Sequence, residues 1–407
     1  MSYRLLTYVC FCLLSFASLT QAVELELSQA YELAVAKSEL LQISVAEWRA
    51  AEARYRQSLG AMWPEVSARG EANWDDLNDG RRAGVGASWT VFDGFRAARS
   101  AEARKAEGFA FSNEVEYAHL LLYEDVADVF YQVLSFQDQR TAMREQLKTL
   151  ETHAGELERR IRLGRSKRSE LLTTSNQMAE ARLTIEQLNQ SCAATLELMA
   201  FITGRPVSDI QLVDQTPLPA VSEVDKYLAA AANRSDIKAG EARVDAAKSD
   251  TKAAKSDRAP QVSLDGNAYL LTDSKDQSEW DLILRLEIPL FDRGLRVARV
   301  AEQGQKLRIS ELKLAELRRS SERDVRQVYQ TLFYGLKQWS ELQSAIGTAV
   351  ETLSLQQKDY NLGRVTNLDV LVASVQLWGL RRREAALSNQ LRADLIHLHV
   401  AAGKVSP

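Results

Sequence analysis

Cysteine is almost missing from this 407-residue chain: there are three, and Cys10 and Cys12 both lie in the first 22 residues. Cys192 is left alone in the remainder, so disulfides play no part in the fold. It falls at an apolar helical position with Leu188 and Leu196, which suits a core residue better than a nucleophile. Proline is scarce too, at seven, which permits long uninterrupted helices. Beyond the first 22 residues no segment has the ~18 consecutive apolar residues of a transmembrane helix. Neither sign of charge dominates: 51 Lys and Arg face 55 Asp and Glu, and a net charge of −4 gives no reason to expect a nucleic acid partner. There is no P-loop and no Gly-rich nucleotide fingerprint, so no cofactor and no enzyme activity is expected. Glu116 and His119 have an iron-binding E-x-x-H spacing, but such a site needs a second copy and the sequence has none. Five methionines and four histidines, unclustered, give no support for a metal relay.

What is present begins with a targeting segment over 1–22. Arg4 supplies the positive start, Leu5 to Leu19 form an apolar stretch of signal-peptide length, and Ala22 offers a small residue for cleavage. The apolar run falls short of a ~20-residue membrane span, which argues against a retained anchor. Neither Cys10 nor Cys12 sits in a good lipoprotein cleavage box, so no N-terminal lipid is expected. The chain is therefore read as exported.

The rest is a duplication. Phe92-Asp93 recurs as Phe291-Asp292, Gly164-Arg165 as Gly363-Arg364, and Gly204 as Gly403, all 199 positions later. Trp63-Pro64-Glu65-Val66 matches Ala259-Pro260-Gln261-Val262 at an offset of 196. Four markers at nearly constant spacing define two copies of one unit, 23–204 and 222–407, with a linker over 205–221 containing Pro206, Pro217 and Pro219.

Each copy has the same parts. A first helix is expected over about Ser28–Met62 and again over Val221–Arg258, each ending before a proline. Alternation of period two then predicts strands over about 64–74 and 83–92, and over 260–271 and 280–291, each with one apolar and one polar face. Apolar steps of three and four follow, as in Val126, Val129, Val133, Phe136 and Val325, Val328, Leu332, Leu336. They predict rods of about 100 Å from Gly94 to Leu163 and from Gly294 to Leu362. Rods of that length need coiled-coil packing. Gly164 and Gly363 stop them, and return helices complete helical hairpins over about 94–203 and 294–402.

Four strands with an apolar face cannot bury that face or satisfy their edges alone, and in a membrane the remedy is closure into a barrel. Trp63, Trp89, Phe92, Trp280 and Phe291 lie near strand ends, where interfacial aromatic girdles belong. Four strands per chain make 12 in a trimer. A periplasmic coiled-coil scaffold without a pore is the alternative. It would share the rods and turns but would not need bilayer-length strands, and it would wash off membranes with salt.

Val91-Phe92-Asp93-Gly94, Pro289-Leu290-Phe291-Asp292-Arg293-Gly294, and Tyr360-Asn361-Leu362-Gly363 through Asp369-Val370-Leu371 occur in this order. With the duplicated plan, they resemble the TolC family of outer-membrane efflux proteins, from about Leu27 to Lys404. The resemblance implies a mainly α fold with a small β part. It also implies a homotrimer, with a 12-stranded β-barrel among outer-membrane lipid standing on a periplasmic helical barrel. It implies an exit duct of a tripartite efflux or type I secretion system, working with a periplasmic adaptor and an inner-membrane transporter. The adaptor would dock on the turns Leu163-Gly164-Arg165-Ser166-Lys167-Arg168 and Leu362-Gly363-Arg364-Val365-Thr366. Tyr360, Asp369, Arg364 and Glu170 would form the channel constriction, three Asp369 carboxylates making a ring that attracts cations. The chain departs from the fullest family motif at Val365 and Val372, where an arginine and a second aspartate are usual. The sequence does not name the cargo.

Overall fold

The computed structural model describes residues 23–73, 80–214, 216–272 and 279–404; the expected targeting segment and Trp74 lie outside them. Two rods dominate, α3 (Arg96–Arg162) and α7 (Leu295–Asn361), each of 67 residues and so about 100 Å long. Their return helices are α4 (Arg168–Thr203) and α8 (Asn367–Ala401).

The two helices expected ahead of the strands are each broken. The first is divided into α1 (Leu27–Lys37) and α2 (Glu39–Gly60) at Ser38, whose Oγ accepts from the Leu41 N–H at 3.2 Å and so caps α2. The second is divided into α5 (Val224–Ala231) and α6 (Ser235–Ser256). This break lets Arg234 turn inward: its side chain is 5% exposed, pairs with Asp236 at 2.7 Å and donates to the Ala401 carbonyl at the end of α8. The segment expected as a linker carries a strand. Ile210–Leu212 pairs in parallel with Val23–Leu25, tying the start of the chain to the junction between its halves.

The main sheet consists of Glu65–Asn73, Gly80–Phe92, Gln261–Thr272 and Trp280–Glu287. With the two short strands numbered β1 and β4, these are β2, β3, β5 and β6, and their order in the sheet is β2-β3-β5-β6, all antiparallel. β6 stops short of the expected 291 because Pro289 has no N–H to donate. The register places Val66 opposite Ala87, Trp89 opposite Leu264, and Leu264 opposite Leu284, so one face is apolar across all four strands. The other face carries Ser67, Arg69, Asp265, Asn267 and Asp281. Gly84 sits at a register shift, where a Cβ would come 2.3 Å from the Ala268 carbonyl oxygen.

The helices repeat the order of the strands. α3 packs on α2 and α4 along one side and on α6 and α8 along the other, and α6 and α8 pack in turn on α7. The chain is therefore a panel of four columns, α2/α4, α3, α6/α8 and α7, each continuous with one strand. Its cores lie between columns. One gathers Ala30, Val126, Phe130, Met199 and Ile396, and a fully buried Phe130 side chain contributes about 2–3 kcal/mol relative to an exposed one. Another, near the hairpin turns, gathers Leu157, Ile346, Leu353, Tyr360 and Val370. Among the described residues, no helix is long and apolar enough to cross a membrane.

Candidate functional site at the hairpin turns

Both turns are built alike because both end on glycine with positive φ, 68° at Gly164 and 73° at Gly363. The Gly164 N–H donates to the Ile161 carbonyl and the Arg165 N–H to the Arg160 carbonyl; Gly363 and Arg364 repeat this with Tyr360 and Asp359. These are Schellman motifs, which satisfy the last carbonyls of α3 and α7 and aim the chain back into the return helix. The rest of each turn points outward. Leu163 is 68% and Leu362 65% exposed, and Gly164, Arg165, Lys167, Arg168, Gly363, Arg364 and Thr366 are exposed as well. Ser166 is half-buried, and Val365 packs against the nearby core. Arg364 leans toward Asp359 at 3.5 Å.

Just inside the turns, the two halves are joined by a polar node. Tyr360 is buried, and its hydroxyl donates to Glu170 Oε2 at 3.4 Å and lies 3.4 Å from Ser166 Oγ. The Arg160 guanidinium carbon sits 4.5 Å from the centre of its ring, and His153 meets that ring at 5.7 Å in an edge arrangement. Asn367, 2% exposed, is the hub: its Oδ1 accepts from His153 Nε2 at 2.5 Å. Its Nδ2 donates to the Glu170 carbonyl at 3.3 Å and to Thr174 Oγ1 at 3.4 Å. The Asn367–His153 pairing was not foreseen from sequence. The two are 214 positions apart, and neither stands out in a periodic pattern.

Asp369 does not reach this node. Its carboxylate folds back on its own helix start, accepting from Thr366 Oγ1 at 2.6 Å and from the Thr366 N–H at 2.7 Å. Those two hydrogen bonds, the side-chain one first, hold its pKa below the usual carboxylate value, and the group is exposed. The structure thus brings Tyr360 and Glu170 together, with Asp369 and Arg364 nearby but each held locally.

The other residues singled out from sequence are dispersed. Trp63, Phe92 and Phe291 lie at the helix end of the sheet, and Trp89 Nε1 donates to the Met62 carbonyl there at 3.0 Å. Trp280, opposite Ala268, lies at the other end. Cys192 is buried among the helices, and burial pushes its thiol pKa up. Glu116 and His119 face different partners, Ser235 at 3.1 Å and Tyr31 at 3.1 Å.

The chain belongs to the outer membrane efflux protein family, whose profile matches twice, over residues 30–205 and 227–404. It is 26% identical to the pyoverdine export outer membrane protein OpmQ of Pseudomonas putida, over 93% of this chain and 86% of that protein. It is 22% identical to the cation efflux system protein CusC of Escherichia coli K12, over 89% and 83%. The fold matches a crystal structure of CusC with a TM-score of 0.84 at 20% identity, covering 94% and 92% of the two chains. It matches VceC of Vibrio cholerae with a TM-score of 0.81 at 18% identity, covering 93% and 96%. Membership places the protein in the outer membrane of a Gram-negative cell as an efflux channel, not an enzyme.

Proposed function

We propose that three copies of this panel close side to side, their sheets forming a 12-stranded barrel and their columns a periplasmic tunnel. The observation that carries this reading is the register of the four strands. It gives the sheet one apolar face from β2 to β6, with Leu282, Leu284 and Leu286 62%, 70% and 61% exposed. Among the described residues, β2 and β6 each have one neighbouring strand. An apolar face and two open edges are stable together only in lipid and only when closed. Twelve strands of this length make a barrel wide enough for a pore.

The turns at Gly164 and Gly363 then form the periplasmic mouth, where an adaptor docks and links the duct to an inner-membrane transporter. Tyr360 and Glu170 narrow this mouth, and Asp369, exposed on the same rim, draws cations. The transporter selects the cargo.

In-cell photocrosslinking from Arg165 or Arg364 tests the docking surface. A band containing a periplasmic adaptor is expected. Its absence from correctly inserted protein would take the turns out of that role. Conductance of the purified protein across a planar bilayer tests the pore itself.

A further inference from the structure

The helices that leave the sheet differ at their starts from most of the others. α2, α4, α6 and α8 each carry an acidic residue in the first turn: Glu39, Glu170, Asp236 and Asp369. The positive end of the helix dipole favours a carboxylate there. α3 and α7 have none inside the helix, as α1 has none, and Asp93 and Asp292 just ahead of α3 and α7 accept from the Ala97 and Arg296 N–H groups. Their first five residues instead contain Arg96 and Arg99, and Arg296 and Arg299, cations at the end that disfavours them.

The excess extends around these starts. Segments 92–99, 252–259 and 291–299 contain two, three and three Lys or Arg, eight in all, against one Asp each. Those three carboxylates are already engaged. Arg96 is 3.7 Å from both Asp93 and Asp257, Arg299 is 3.0 Å from Asp257, and Arg296 is 3.3 Å from Asp292. Lys252, Lys255, Arg258 and Arg293 are exposed and have no carboxylate partner among the described residues. Lys252, Lys255 and Arg258, on or just past the end of α6, suit the negative end of that helix, but the dipole accounts for none of the arginines on α3 and α7. At the same level the chain exposes Trp63 (74%), Phe95 (62%), Leu290 (92%) and Phe291 (87%).

Apolar side chains bordered by unpaired cations, where strands give way to helices, match the boundary between acyl chains and lipid phosphates. We propose that this basic collar binds the phosphate groups of anionic phospholipids in the inner leaflet of the outer membrane. The assignment rests on the barrel proposed above. Lipid phosphates then neutralise the four cations that have no carboxylate partner, and the collar fixes the height at which the sheet sits in the bilayer.

The test uses the full-length protein in phosphatidylcholine vesicles, with trace spin-labelled phosphatidylglycerol or phosphatidylcholine as probe. The readout is the fraction of probe immobilised by the protein. Wild type should prefer phosphatidylglycerol by about fivefold or more, roughly the effect of one well-placed cation, and added salt should shrink the preference. Combined Lys252→Gln, Lys255→Gln, Arg258→Gln and Arg293→Gln should bring it close to one, while Lys252→Arg with Lys255→Arg should keep it. Equal immobilisation of both lipids by wild type, or an undiminished preference in the glutamine variant, overturns the collar. So does a shift in ion selectivity with the lipid preference intact, because the cations would then face the bore. Conductance of the same vesicles separates the two ideas. A conducting wild type without lipid preference defeats the collar alone, and a non-conducting one defeats the pore.

Discussion

The two hairpin turns share a backbone and differ in what their carboxylates do. Glu170 and Asp369 are 199 positions apart in matching places, the third residue of α4 and of α8. Asp369 closes a capping box with Thr366. At the first turn the equivalent cap is Lys167, which makes no side-chain hydrogen bond to the helix, so the Glu170 carboxylate is free to meet Tyr360. The counterparts of Tyr360 and Asn367 in the first copy are Ile161 and Arg168, which build no such node. Duplication supplied two equal scaffolds. On these scaffolds the Asp369 carboxylate is held within its own turn, while the Glu170 carboxylate receives Tyr360 from the other.

That contrast can be tested by treating the two turns alike and looking for unequal results. Tyr360→Ala should have the largest effect, about 3 kcal/mol from the cavity left by a buried aromatic ring, read as faster amide exchange at both turns. Ile161→Ala, at the half-exposed counterpart, should cost clearly less; equal losses would deny the asymmetry. Asn367→Ala should cost about 1–3 kcal/mol, because the His153 and Thr174 side chains and the Glu170 carbonyl lose a buried partner. Arg168→Ala, exposed, should be close to neutral in the same exchange measurement. Thr366→Ala should cost about 1 kcal/mol as a lost cap, and Lys167→Ala almost nothing.

The capping box also sets a pH dependence. Because the folded Asp369 pKa is lowered, its stabilisation is complete above the unfolded value of about 4 and is lost as pH falls through the folded one. The exchange-rate difference between wild type and Thr366→Ala should therefore shrink in acid, leaving the part due to the Asp369 N–H donating to Thr366 Oγ1. The smallest expected effect is that of Asp369→Asn, a modest drop in cation preference. Unchanged reversal potentials would remove Asp369 from the constriction.

Much of this architecture is legible in the sequence because it is periodic. Steps of three and four drew the rods, alternation drew the strands, and Gly164 and Gly363 marked the turns. The features that escaped are short or non-local. The Ser38 break depends on one hydroxyl inside an otherwise helical pattern, and the pairing of Val23–Leu25 with Ile210–Leu212 involves three residues a side. At the site, Tyr360 can be named from a family motif and Glu170 from its place in the repeat, but Asn367 cannot. Its role comes from His153, which lies on the opposite hairpin, and no local pattern links the two.

The four-column order has a geometric consequence for assembly. The flanks of a panel are unlike, α2 stacked over α4 on one side and an unbroken α7 on the other. A contact between unlike flanks is head-to-tail, so each added copy renews the same sticky edge, and only a ring leaves none exposed. The number of copies in the ring is then decided by how far each panel turns about the long axis. In the ring proposed above, side chains wedged between α3 and the α6/α8 column would act as the bevel on a stave, and enlarging or trimming them would change the bore before it changed the chemistry of the wall.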